Sequence, residues 1–326
     1  MMDFIDYTLG RCEAAEFLVS NSSDTRVECW APGVLYLAGN GPRSLIISAG
    51  IHGDETAPII IINQLIKQIF SGELEVVNPC LFILGNPDAI ELGVRYLDTN
   101  LNRLFCGAHR SIAPCKESAR AHLLERCVER FYTIYQDTDK LHWDCHCAIR
   151  GAVYKTFAIV PIVTHELSLL NHMDELQHAG IQAAVLSQLA TNTFSYASFQ
   201  QFKAQAATLE LGKALPWHEN EMSDHQKIIC YLIRLLADVE DEDETIATDA
   251  LIVYQIAQQI IKTQPDFHFN FSAEIDNFTP YQQGTLLAQE AGAEYHVQAE
   301  REVILFPNAK VELGARALLT LTPCSL

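Results

Sequence analysis

The stretch Leu45 to Thr56, LIISAGIHGDET, begins as an apolar strand and ends in an imidazole and two carboxylates, His52-Gly53-Asp54-Glu55. A buried strand gains nothing from that ending, so its residue types call for a chemical reading. His52 and Glu55 are three apart at a strand-to-helix turn and can aim one nitrogen and one oxygen donor at a single point. Asp144-Cys145-His146 falls within a second apolar segment, and Glu210 lies in a third, ATLELGK. Together His52, Glu55 and His146 make a His₂Glu set, which leaves one vertex of a tetrahedral Zn²⁺ open for water, the pattern of catalytic zinc. One such ion polarises a carbonyl and lowers the pKa of water. Glu210 is then the unspent carboxylate able to take the water's proton and hand it to a leaving nitrogen. Each element is weak by itself: His-x-x-Glu pairs arise by chance, an isolated core histidine is more often structural, and Glu210 alone would suit a lysine. Cys145 and Cys147 flank His146 but face away from it in a strand, so packing is their expected role.

Alternating segments must position these groups. SLIISAG (44–50) precedes an apolar helix pattern over 56–70, with Pro58 in its first turn, where a missing N–H costs little. CLFILGN (80–86) predicts a strand, 116–136 a charged helix, and LHWDCHCAI (141–149) a strand again. A strand at 156–161, a helix over 165–179, strands at 183–188 and 206–212 and a helix over 219–237 continue the series. This alternation implies an α/β fold, a mixed sheet covered by helices on both faces. The acidic run Asp238 to Glu244 marks a solvated boundary. Beyond it, 251–262 and 293–308 alternate with period two and 314–323 ends as a strand, so residues 245–326 are expected to form a small mostly-β C-terminal domain after a hydrolase domain over 1–244. No internal repeat is evident.

The chain has 326 residues and a formal net charge of −19, which argues against nucleic acid or an anionic membrane surface as partner. No apolar run reaches the ~20 residues of a bilayer span. The N-terminus, MMDFIDYTLG, lacks a basic-then-apolar export pattern. The ten cysteines are scattered through a chain too long to need stapling, so a reducing cytoplasm is expected and the sequons at Asn21 and Asn270 carry no meaning.

GIHGDET, DTNLNRLF (98–105), DCHCAIRG (144–151) and ATLELG (207–212) follow one another in an order and spacing that resembles the succinylglutamate desuccinylase and aspartoacylase branch of the zinc carboxypeptidase superfamily. The match covers most of 44–215 and extends loosely into LFPNAKVELGARA (305–317), which is nearer the desuccinylase end. Four ordered motifs are specific where any one would be weak. Residue by residue, the resemblance makes His52, Glu55 and His146 the zinc ligands and Glu210 the general base and acid. It departs at Cys145 and Cys147, where the family more often has leucine and a small hydroxyl residue.

An acidic protein that binds a polyanion must gather its few cations at the site. Arg95, Asn102 and Arg103 fall close together in GVRYLDTNLNRLF, and Arg150 follows His146 by four residues. Arginine suits carboxylates through its planar two-point donors. Three arginines near one zinc suit a small polycarboxylate amide such as N-succinyl-glutamate, although Arg95 and Arg103 could instead pair with local acids. The resemblance implies that Asn102 and Arg103 meet substrate carboxylates, that Arg95 polarises the scissile carbonyl, and that the activity is amide hydrolysis to succinate and glutamate within arginine catabolism. Rival expectations are an N-acetylaspartate-type deacylase, a carboxypeptidase with an open groove, or a zinc-binding relative without catalysis; a spare base at Glu210 speaks against the last. The C-terminal domain could cap the site, hold a dimer or stabilise the fold, and Tyr295 is expected as a surface residue rather than a substrate contact.

Overall fold

The computed structural model describes residues 3–19, 21–162, 167–239 and 250–325. Helices α1 (Phe4–Thr8) and α2 (Ala14–Leu18) lead into strands β1 (Val27–Ala31) and β2 (Val34–Leu37). Then come β3 (Arg43–Ala49), α3 (Thr56–Ser71), β4 (Cys80–Leu84), α4 (Pro87–Leu92), α5 (Lys116–Ile134) and β5 (Asp139–Ala148). The series continues with β6 (Thr156–Pro161), α6 (Leu167–His178), β7 (Ala183–Ser187), α7 (Phe194–Phe202), β8 (Gln205–Lys213) and α8 (Gln226–Ala237). The C-terminal part contributes β9 (Ile252–Ile261), β10 (His268–Phe269), β11 (Pro280–Gln282), β12 (Leu286–Glu290), β13 (Ala293–His296), β14 (Arg301–Leu305) and β15 (Arg316–Pro323).

Among the described residues, twelve strands form one mixed sheet in the order β1-β2-β4-β3-β5-β8-β6-β7-β9-β15-β14-β11. Side-chain alternation along β3 shows why both faces are covered. Leu45, Ile47 and Ala49 pack with α3, α6 and α8, while Ile46 joins the core under α5 and α7. From β3 the chain crosses by α3 to β4 on one side and returns by α5 to β5 on the other. The sheet therefore switches direction between β3 and β5, which run parallel with Ala49 opposite Cys145. Crevices at the carboxyl ends of strands at such a switch are where open α/β sheets bind ligands.

The C-terminal part is β-rich as expected, but it does not stand on a sheet of its own. β9 adds to β7 in parallel, and β15, β14 and β11 follow antiparallel, so the main sheet runs through both units. A three-stranded sheet, β10-β12-β13, completes the unit over a separate core that includes Ile260, Leu287, Ile304 and Leu318. The boundary expected between residues 244 and 245, and most of the acidic run, lie outside the described residues; Asp238 caps α8 in a left-handed conformation and accepts from Asn78 Nδ2 at 3.0 Å.

Elsewhere the differences are local. The helix expected over 219–237 begins with two 3₁₀ turns, Trp217–Glu219 and Met222–His225, and becomes α-helical only at Gln226. No core-facing stripe exists before Ile228 to pull the chain into a regular helix. The expected helix over 165–179 is described from Leu167 to His178, and its first residues lie outside the described set. The alternating run 293–308 breaks into β13 and β14, with Glu302 holding the intervening turn through the N–H groups of Gln298 and Ala299. Among the described residues no helix is long and apolar enough to cross a membrane.

Candidate active site

His52 and Glu55 leave the end of β3 where Gly50, at φ +64°, turns the chain out of the sheet. Gly53 between them packs so tightly on the backbone of Ala89 that a Cβ there would lie 2.1 Å from the Ala89 carbonyl carbon. His146 extends from β5, and Glu210 lies directly opposite it on β8. On β5, Leu141, Trp143 and Cys145 point to the α3 side, which leaves His142, Asp144 and His146 on the α5 and α7 side. Cys145 packs in the core as expected, and the Cys147 thiol turns to the Leu211 carbonyl.

Three groups, His52, Glu55 and His146, are all buried, and one ligand atom from each lies within 4.8 Å of the others. The Glu55 carboxylate organises them. Its Oε1 accepts from His52 Nδ1 at 2.8 Å and from Arg95 at 2.7 Å, and its Oε2 accepts from His146 Nδ1 at 2.8 Å and the Cys147 N–H at 3.1 Å. Burial opposes charge on Glu55, but the two imidazoles outweigh it and hold its pKa well below the usual carboxylate range. Burial likewise opposes charge on His146, yet Asp144 and Glu55 on either side raise its pKa well above the ordinary value. Two imidazole nitrogens and a carboxylate oxygen converging without solvent are a donor set that suits Zn²⁺.

Beside this cluster Glu210 is buried, and its Oε2 has no hydrogen-bond partner. Burial, reinforced by the Glu55 charge, pushes its pKa up to about 8. A divalent cation on the three neighbours pulls in the opposite direction. A carboxyl held between these influences can accept and return a proton near neutrality.

A second layer was not assigned from sequence. Asp144 Oδ2 accepts from His146 Nε2 at 2.8 Å, and its Oδ1 accepts from the Ser48 hydroxyl at 2.6 Å. Ser48 in turn lies 2.9 Å from His142 Nε2, and His142 Nδ1 lies 2.7 Å from the Ser198 hydroxyl on α7. Because a carboxylate only accepts, one proton arrangement satisfies the whole chain: Ser198 donates to a neutral His142, which donates to Ser48, which donates to Asp144. Burial depresses the pKa of His142 to about 4, consistent with that neutral form. An Asp two residues before a ligand His on one strand face is a period-two signal that could have revealed the first step. Asn100 was also missed; its Oδ1 lies 3.0 Å from His52 Nε2.

The remaining predicted residues divide. Arg95 reaches the cluster through Glu55. Asn102 is buried, with Nδ2 3.4 Å from His146 Nε2, but its Oδ1 accepts from the Phe194 N–H at 2.9 Å, so half its amide serves α7. Arg103 donates to the carbonyl of Asn102 at 2.8 Å and keeps an exposed side of the crevice. Arg150 does not join the group. Its guanidinium donates to the carbonyls of Pro307 at 2.6 Å, Ala273 at 3.1 Å and Ile275 at 3.3 Å, all in the C-terminal unit. These bonds fasten the loop after His146 to the C-terminal unit and leave Arg150 outside the cluster, where a substrate contact was expected. Tyr295 also stays away, donating to Glu290 at 2.7 Å.

A mixed sheet with this cluster at its switch point defines the class, and the chain belongs to the succinylglutamate desuccinylase/aspartoacylase family: residues 41–236 match its catalytic domain and 249–324 the AstE/AspA barrel-sandwich hybrid domain. Within it, the chain is 35% identical to a succinylglutamate desuccinylase of Shewanella frigidimarina, across 98% of this chain and 95% of that one. It is similar in structure to the succinylglutamate desuccinylase of Vibrio parahaemolyticus, with a TM-score of 0.88 and 32% identity over 99% of this chain and 96% of the other. The enzyme of that name from Chromobacterium violaceum gives 0.85 and 33%, over 99% and 98%. Murine aminoacylase 3, at 17% identity and a TM-score of 0.58, shares the fold.

Proposed function

We propose that this protein hydrolyses the amide of N-succinyl-L-glutamate to succinate and L-glutamate, with one Zn²⁺ held by His52, Glu55 and His146. The observation that carries the reading is the buried His₂Glu cluster with the unpartnered Glu210 oxygen beside it. Whole-length similarity to desuccinylases supports the succinyl group over the acetyl group of aspartoacylase-type substrates. A bound Zn²⁺ supplies Lewis-acid polarisation of the carbonyl and a lowered pKa for water.

The chain's own residues do the rest. Glu210 takes a proton from the attacking water as oxygen bonds to the amide carbon. It returns that proton to the glutamate nitrogen as the C–N bond breaks. Arg95 uses one donor on Glu55, which fixes its guanidinium at the edge of the metal cluster, where its other donors can meet the oxygen that gains charge. Arg103, with Asn102 beside it, receives a substrate carboxylate. Ten free cysteines suit a reducing compartment, and we assign the protein to the cytoplasm.

The test is metal analysis of the purified protein with an assay on N-succinyl-L-glutamate and N-acetyl-L-aspartate, before and after chelation. About one zinc per chain, preference for the succinyl substrate, and activity lost on chelation and restored by Zn²⁺ are expected. Full turnover after metal removal would overturn the reading.

A further inference from the structure

Ser48, His142 and Ser198 neither join the ligand set nor move a proton in the hydrolysis, yet all three are buried. His142 packs edge-to-face on Phe194, with ring centroids 4.7 Å apart, in a core that also includes Ile46 and Ala197. Packing alone would be served as well by apolar side chains, which need no partners. Instead the polar groups form a chain in which each bond constrains the next. Ser48 lies opposite Asp144 in the register of β3 and β5, and its hydroxyl donates to Asp144 Oδ1 at 2.6 Å. Having given its one proton, Ser48 can only accept from His142 Nε2, 2.9 Å away. In the neutral ring His142 Nδ1 is then the acceptor for Ser198, at 2.7 Å.

The chain delivers its effect at Asp144, whose carboxylate meets Ser48 on Oδ1 and His146 Nε2 on Oδ2, the latter at 2.8 Å. With Oδ1 held by Ser48, Oδ2 stays aimed at His146. That ring therefore keeps a proton on Nε2 and turns Nδ1 into the cluster, 2.8 Å from Glu55 Oε2. The far end is anchored as well. Helix α7, which carries Ser198, is tied to the site at two other points. Phe194 N–H donates to Asn102 Oδ1 at 2.9 Å, and Ser195 Oγ lies 2.8 Å from the hydroxyl of Thr208, two residues before Glu210. One stretch of α7 thus reaches Asn102, the strand of Glu210 and, through His142, the strand of His146.

We propose that His142 and Ser48 are positioning residues for the metal ligand His146: anchored on Ser198, they hold Asp144 so that the imidazole turns Nδ1 into the cluster. This rests on the reading of His52, Glu55 and His146 as zinc ligands and deepens it. It gives a role in metal binding to groups that touch neither the ligand set nor the substrate residues.

The experiment compares wild type with His142→Leu, which removes the donor to Ser48, and His142→Gln, whose amide can still donate there. Zinc affinity is read by competition with a chelator, and the Nε2 proton of His146 by ¹H–¹⁵N NMR of the metal-free proteins. In His142→Leu zinc affinity is expected to fall about 3- to 10-fold, below the range for a partner bonded to the ligand itself. The Nε2 proton should move upfield as its bond to Asp144 loosens. His142→Gln is expected to restore both, whatever its thermal midpoint. Unchanged zinc affinity in His142→Leu, or equal losses in the two variants, overturns the inference, because packing alone would not distinguish a donor from a methyl group. Should His142→Leu fail to fold, Ser48→Ala, which removes a single hydroxyl, is measured with the same expectations, and unchanged zinc affinity there overturns the inference. If wild type binds no zinc, the metal reading fails and the His146 proton decides alone. A shift in His142→Leu that His142→Gln reverses supports the positioning role, and an unmoved proton overturns it.

Discussion

Asp144 Oδ2 and His146 Nε2 lie 2.8 Å apart in a fully buried contact, so one carboxylate sets both the tautomer and the ring orientation of a proposed metal ligand. Asp144→Asn keeps the shape and removes the anion. Zinc affinity, measured by competition with a chelator, is expected to fall about 10- to 100-fold. An unchanged affinity would mean that Asp144 only fills space beneath the site.

Glu210 is expected to matter to turnover and not to metal retention, because it stands beside the ligand set rather than in it. Glu210→Gln preserves volume and removes proton transfer. It should lower kcat about 10²- to 10⁴-fold with zinc content unchanged. Turnover near that of wild type would place the proton shuttle on another group.

How much of this could be read from residues alone depends on the range of the forces involved. β3, α3, β4 and β5 were legible because each carries a local apolar pattern, and the meeting of His52, Glu55 and His146 was legible because these groups sit where those patterns end. Helix α7 was not, since the face it buries consists of Phe194, Ser195, Ala197 and Ser198, and two of those serines are there to bond Thr208 and His142. Such a face lacks the apolar stripe by which an amphipathic helix is recognised. The bonds of Arg150 were hidden for a related reason. Its type and its place after His146 suit a substrate contact, but its partners lie 123 to 157 residues away in sequence. No local pattern announces a contact made across two units.

The fastening role of Arg150 predicts a distinct phenotype. Arg150→Ala removes three donor contacts to the C-terminal unit, at a cost of about 1–3 kcal/mol for a half-exposed charged group. The thermal midpoint should drop, and amide exchange at Val153 and Asn277 should accelerate, since both N–H groups bridge the same seam. A change in KM with no change in exchange would return Arg150 to the substrate.

The pH dependence of stability should carry the mark of a histidine outside the His52, Glu55 and His146 cluster. His172 sits on the buried face of α6 and accepts from Trp143 Nε1 at 3.1 Å, so it must be neutral there; burial, with Arg43 adding repulsion, lowers its pKa to about 3. In the unfolded chain its pKa returns to about 6.5, so between those values the unfolded state binds the extra proton. The stability from keeping His172 neutral is therefore complete above about pH 6.5 and is lost as pH falls towards 3. At pH 5 the loss amounts to about 2 kcal/mol. His172→Gln retains an acceptor for the tryptophan but cannot titrate. Denaturant unfolding at pH 7 and pH 5 should show a smaller drop for the variant, whatever its absolute stability. Equal drops in the two proteins would show that His172 takes up its proton without unfolding, contrary to its acceptor role under Trp143.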